Sequence, residues 1–196
     1  MDLNSKLRSF VTDDRKFSSK SLEVVRPVLE KLNDLELQEL SKWIADEINS
    51  RRVRPVGIKV EGYSSKRPHD TCYCDVVLMM SDGSERPVKF VGCPDKVLYI
   101  YALMNRNGVN RYTISKDKDL RQLYSKMYGK PGEKLKGTQG HDLAQAVAQS
   151  RKAVNEAVGD EAMATDFVFD KEMSSKGNLL VIPFAKNNGK IEFVNF

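Results

Sequence analysis

Ser81-Asp82-Gly83-Ser84, followed by Cys93-Pro94-Asp95-Lys96-Val97-Leu98-Tyr99, is where the chain changes from strand period to helix period. Asp-Gly supplies the positive φ angles that a tight hairpin turn needs. Thr71–Met80 reads as the strand before it and Arg86–Val91 as its partner, with Pro87 marking an edge or a strand start. Pro94-Asp95 then places a proline and an acid at a helix start. Val97, Ile100, Tyr101 and Met104 form one helical stripe, thickened by Leu98 and Leu103. Asn105-Arg106-Asn107-Gly108 ends it, with Gly108 or Asn107 suited to the left-handed cap.

Toward the C-terminus a second helix is predicted over Asp117–Tyr128. Leu120, Leu123, Tyr124, Met127 and Tyr128 share its apolar face, and Gly129 stops it. Lys130–Gly140 is a basic loop with three glycines. His141–Val158 is the longest predicted helix, uninterrupted by Pro or Gly. Its buried stripe is expected to be Leu143, Val147, Val154 and Val158, with Ala144, Ala148 and Ala157 close by. Phe167-Val168-Phe169 reads as a strand, Ser174–Asn178 as a turn and Leu179–Ala185 as a buried strand. Asn188-Gly189 is a hairpin signal leading to Ile191, Phe193 and Phe196.

Toward the N-terminus, Val56, Ile58 and Val60 alternate with polar residues and predict a half-buried strand over Val56–Tyr63. Ser64–Asp70 reads as a polar loop. Leu22, Val25, Leu29 and Leu32, then Leu37, Leu40, Trp43, Ile44 and Ile48, repeat at helical spacing. Pro27 belongs in a first turn, so the first helix starts near Arg26, and Asp34 is the expected N-cap of the second. Residues 1–20 are polar and are expected to form a mobile arm. Residues 21–54 are expected to dock on the rest of the chain or make a homodimer.

The chain of 196 residues carries a net charge of +5. The excess is local: residues 111–152 hold 10 basic and 4 acidic side chains. Such a concentration favours a polyanion, and nucleic acid first. No apolar run approaches the roughly 20 residues that cross a bilayer. Met1-Asp2-Leu3-Asn4 lacks the basic start of a secretory signal. A cytoplasmic location is expected, with Cys72, Cys74 and Cys93 as free thiols, an odd count that makes a poor disulfide framework.

A hairpin, the helix opened by Cys93–Tyr99, two further helices and a C-terminal hairpin resemble the effector domain of response-regulator winged helices, over residues 56–196. The resemblance implies an α+β fold. An N-terminal helical segment would precede a winged-helix-like domain at 55–196, with an antiparallel hairpin sheet, three helices and a C-terminal β wing. Val97-Leu98-Tyr99-Ile100-Tyr101-Ala102-Leu103-Met104, with Asn107-Gly108-Val109 and Asp119-Leu120-x-x-Leu123-Tyr124, also looks like a group of uncharacterised bacterial proteins.

In that scaffold the third helix reads DNA. Its polar face would present Gln145, Gln149, Lys152 and Asn155, with Arg151 at the margin. Gln and Asn pair with adenine, Arg and Lys with guanine. Lys126, Lys130, Lys134 and Lys136 would contact phosphates, and Lys176 would sit at the wing tip. The alternative is a winged helix used for protein contact, with no nucleic-acid role.

Other chemistry is thinly represented. His69-x-x-Cys72-x-Cys74, completed by Cys93 or His141, has metal-ligating residue types but not a standard knuckle spacing, and small core cysteines explain it better. Lys134–Gly140 lacks the arrangement of a phosphate-binding loop. No nucleophile-elbow, zinc-protease or dinucleotide signature occurs, so no enzyme and no cofactor are expected.

Overall fold

The computed structural model describes residues 25–63, 72–128, 140–175 and 177–196. The chain divides into two units, Met1–Arg52 and Val53–Phe196. Both helices and strands are present, so the fold is mixed α+β. The expected arm at 1–20 and the loops at Ser64–Asp70 and Lys130–Gln139 lie outside the described residues.

In the first unit a helical turn over 25–29 contains Pro27. Helix α1 follows at Asp34–Arg51. Its cap is Asn33 and not Asp34. The Asn33 side-chain oxygen accepts from the Glu36 backbone N–H at 3.0 Å, and the Glu36 carboxylate accepts from the Asn33 N–H at 2.9 Å. This reciprocal pair satisfies two backbone donors that a helix start leaves open.

The second unit opens with β1 (Pro55–Gly62), β2 (Cys74–Met80) and β3 (Glu85–Pro87). The turn between β2 and β3 is the one the Asp-Gly pair predicts. Gly83 has φ +82°, and the Asp82 carboxylate accepts from the Ser84 N–H and hydroxyl. β3 is shorter than the expected strand, although Val88 beyond it still donates its N–H to the Val76 carbonyl at 2.8 Å; Pro87, on the sheet's edge, is tolerated there. β1 also departs from simple alternation. An irregularity in register between Pro55 and Gly57 leaves Val56 exposed, while Ile58 and Val60 are fully buried.

Helix α2 (Cys93–Met104) has Gly92 as its N-cap and Pro94 in its first turn. It was expected to bury one stripe. Seven consecutive residues, Val97 to Leu103, are buried instead, and Met104 is exposed. α2 is the central element of the unit, with α3 (Lys118–Tyr128) and α4 (Gly140–Val158) packed on it. The Tyr99 hydroxyl donates to the Phe167 carbonyl at 2.7 Å, and its ring meets Phe169 edge-on at 5.8 Å. Asp117 caps α3, its carboxylate accepting from the N–H groups of Asp119 and Leu120.

Between α2 and α3 lies β4 (Val109–Asn110), which the sequence reading missed. After α4 a short helix α5 (Glu161–Ala164) is capped by Asp160. Phe167, Val168 and Phe169 are not a strand. They form a 3₁₀ turn and an irregular buried segment, and β5 (Asp170–Ser174) follows them. β5 pairs with β6 (Gly177–Val181) as an antiparallel hairpin. The expected strand to Ala185 ends at Val181, because Pro183 opens a single helical turn, α6 (Pro183–Lys186).

Two sheets result, with orders β3-β2-β1-β7 and β4-β6-β5. The Asn188-Gly189 signal does not make a hairpin. Asn188 takes φ +59°, but the chain leaves the second sheet, and β7 (Lys190–Val194) runs parallel to β1 in the first. The core of the unit is continuous from Ile58, Val76 and Leu78 through α2 to Leu120, Leu143, Val154 and Ile182.

The cysteines differ from expectation. Cys72 and Cys93 form a disulfide that ties the chain before β2 to the first residue of α2. Cys74 lies outside the bond and is buried.

Candidate nucleic-acid interface

α4 carries most of the candidate contacts, and burial sorts its faces. Leu143, Ala146, Ser150, Ala153, Val154 and Val158 are buried. Ala144 and Ala148, expected near the core, are exposed, and Val147 is half-buried. The inward face is therefore rotated from the predicted one, with small residues allowing close approach to α2. Ser150 is the polar member of that face. Its hydroxyl donates to the Ala146 carbonyl at 2.8 Å and lies 3.3 Å from the Asp95 carbonyl, so it costs little to bury.

The opposite face brings three of the predicted contacts together. Gln145, Gln149 and Lys152 fall at i, i+4 and i+7, with Gln145 and Lys152 exposed and Gln149 half-exposed. Asp142 and Glu156 bracket them on the same face, and Lys152 pairs with Glu156 at 3.8 Å. Arg151 points elsewhere. Its guanidinium donates to the Phe169 carbonyl at 2.9 Å, joining the helix to the segment before β5. Asn155 is half-buried beside it. A groove of about 460 Å³ runs past Arg151 and Asn155, rimmed by Lys152, Glu156, Asp160 and Glu161. The rim is mixed in charge, with more acid than base.

α4 is fixed at its C-terminal end by Arg86 of β3. The guanidinium donates to the Val158 carbonyl at 2.9 Å, where the helix leaves acceptors unpaired and its dipole is negative. The sequence reading missed this residue, since the pairing spans 72 positions.

Lys126 belongs to a different place. It sits over the Phe196 ring at 5.0 Å and lines a hollow of about 250 Å³ with Gly62, Tyr63 and Tyr73. No α4 residue lines that hollow. Lys130, Lys134, Lys136 and Lys176 lie outside the described residues. The β5–β6 hairpin ends in Ser174, Ser175 and Gly177, with Met173 80% exposed. Beside it Tyr112, 70% exposed, accepts from the Asn178 amide.

The metal reading loses two of its donors to the Cys72–Cys93 bond, and His69 lies outside the described residues. Among the described residues no three His, Cys, Asp or Glu side chains converge as a metal site, and no helix is long and apolar enough to cross a membrane. No protein-family model, no curated protein and no solved structure matches the chain.

Proposed function

We propose that residues 93–181 work as a winged-helix unit that binds duplex DNA, making this a non-enzymatic regulatory or accessory protein. α2, α3 and α4 would be the three helices and β5–β6 the wing, with β4 as the short strand that buttresses it. The observation that carries the reading is the outer face of α4. Gln145 and Lys152 stand open to solvent, with Gln149 half-exposed between them, on a helix whose other face is held by the core and whose end is held by Arg86. Carboxamides read adenine in the major groove without needing a basic helix. Affinity then comes from phosphate contacts by the lysines of 130–136, with Lys152 beside the bases.

A DNA target implies the cytoplasm. The Cys72–Cys93 bond argues the other way, because reducing pools keep most cytoplasmic cysteine pairs open.

A second reading, a protein-contact module of the same fold, is favoured by a specific observation. Asp142, Glu156, Asp160 and Glu161 lie around the basic residues of α4, and exposed Tyr112 and Met173 mark the wing. The two readings separate in one titration of fluorescent duplex DNA over a salt series. DNA binding predicts a steep loss of affinity with salt and a loss of sequence preference in Gln145→Ala/Gln149→Ala. Lys152→Ala should weaken binding and relax preference at the base pair it faces. No binding at low salt overturns the DNA reading and leaves the protein-contact one.

A further inference from the structure

The two ends of the Cys72–Cys93 bond are held differently. Cys93 is the first residue of α2. One turn on, the Lys96 ammonium donates to the Cys74 carbonyl at 2.8 Å and stands 3.6 Å from the Asp75 carboxylate. Cys72 lies before β2, outside the ladder that begins with Cys74 opposite Gly62. Tyr73, between them, is held by two backbone hydrogen bonds. Its N–H donates to the Met127 carbonyl at 2.8 Å, and its carbonyl accepts from the Tyr63 N–H at 2.7 Å. Met127 is in the last turn of α3, where helix carbonyls lack partners of their own. The bond therefore ties the start of α2 to the residue beside the one that holds the end of α3.

We propose that this bond is a reversible redox latch on the end of α3, closed by a peroxide and opened by a dithiol. In closing, the Cys93 thiolate, favoured by the positive end of α2, takes an oxygen atom from the peroxide and releases hydroxide. The Cys72 thiol then displaces that oxygen as water, and the S–S bond forms. In opening, the dithiol gives up two electrons and two protons, becomes a disulfide and leaves both cysteines as thiols. Both sulfurs are buried, but Cys72 reaches solvent once the two hydrogen bonds of Tyr73 part, with the β1–β2 ladder intact. Lys96 keeps the start of β2 on α2 when the bond is open. A core continuous from β1 to Ile182 does not need the bond as a staple. The latch rests on the DNA reading, which implies the cytoplasm, where the disulfides that form are mostly transient and catalytic or redox-sensing. With the bond closed, Lys126 in the last turn of α3 has less freedom to lose on meeting a phosphate, so the closed form binds DNA more tightly.

The test uses the full chain, reduced with dithiothreitol, freed of it and given equimolar hydrogen peroxide. Alkylatable cysteines, counted after acid quench and denaturation, should fall from three to one. Dithiothreitol should restore all of them without denaturant, and far-UV dichroism should be the same in both states. The Tyr73 amide should exchange several-fold faster in the reduced protein, at a rate that low urea leaves unchanged, because the opening is local. Cys74→Ser should keep the cycle. Cys72→Ser should exchange like reduced protein with or without peroxide. Duplex DNA should bind several-fold more tightly to the oxidised form. A bond that opens only in denaturant, reduced protein that unfolds, or a Tyr73 amide that exchanges alike in both states overturns the latch. Equal DNA affinity in both states overturns its part in binding. No DNA binding in either state, with the exchange difference intact, overturns the DNA reading and keeps the latch.

Discussion

Gly108 shows how much of a residue's role is local and how much is not. Its position after a helix end announced a left-handed residue, and it has φ +87°. What the sequence could not show is that an added Cβ would lie 2.7 Å from Val181 Cγ1 and 3.1 Å from Leu179 Cβ. The glycine therefore lets β4 approach β6. Gly108→Ala is expected to cost about 1–3 kcal/mol, from the disfavoured φ and the overlap together, read as a shift in the urea midpoint; an unchanged midpoint contradicts the close approach. Asp95 has a different balance. Burial pushes its carboxyl above the usual range, with a backbone hydrogen bond from Gly92 working in the opposite direction. A raised carboxyl pKa means the folded protein holds the proton more tightly than the unfolded chain. Its contribution is fully present below the unfolded pKa and is lost as pH rises through the folded one. Asp95→Asn should thus match or exceed the wild type in stability at neutral pH, and the difference should shrink or reverse in acid. A variant less stable at neutral pH than in acid, relative to wild type, contradicts that sign.

At the scale of elements, periodicity located the helices well and the strands less well. α3 and α4 were legible because each has a polar face, so a 3.6-residue pattern exists to be read. α2 is buried all round, so its pattern carried no information about which side faces what. Phe167-Val168-Phe169 misled for a related reason. Three apolar residues in a row read as a strand, but here each plugs the core from an irregular segment, with Phe167 stacked on Phe184 at 4.3 Å. The outer face of α4 was largely legible, since Gln145, Gln149 and Lys152 share it by spacing alone. The use of Arg151 was not, because its acceptor lies 18 residues away in a segment mistaken for strand. Arg86 gives the test at this scale. Removing its side chain leaves the Val158 carbonyl without its charged donor, and Arg86→Met keeps much of the apolar stem while deleting the hydrogen bond. A loss of about 1–2 kcal/mol is expected, read by thermal unfolding. Amide exchange should also quicken in the last turn of α4. Unchanged exchange there would show that Arg86 does not hold the helix end.

Across the whole second unit, the chain is closed in ways no local pattern records. β7 returns to lie parallel to β1, so the last strand completes the first sheet, and β4 reaches across to β6 to build the second. The disulfide adds a third closure. Cys72 and Cys93 are separated by 21 residues, and the loop between them contains β2, the Asp-Gly turn and β3. Cysteine count argued against a bond, yet two cysteines suffice when the hairpin returns the chain beside its own start. Closing a loop of that length restricts the unfolded chain by about 3 kcal/mol in the chain-entropy account. Unreduced protein, denatured and alkylated, should therefore take up one label, at Cys74, and reduced protein three. Reduction should lower the urea midpoint by an amount equivalent to that loop, and Cys72→Ser/Cys93→Ser should have the lower midpoint with or without reductant. Three labels in the unreduced protein would mean that the pair is a contact between two thiols, and the objection to a cytoplasmic, DNA-binding role would disappear with the bond.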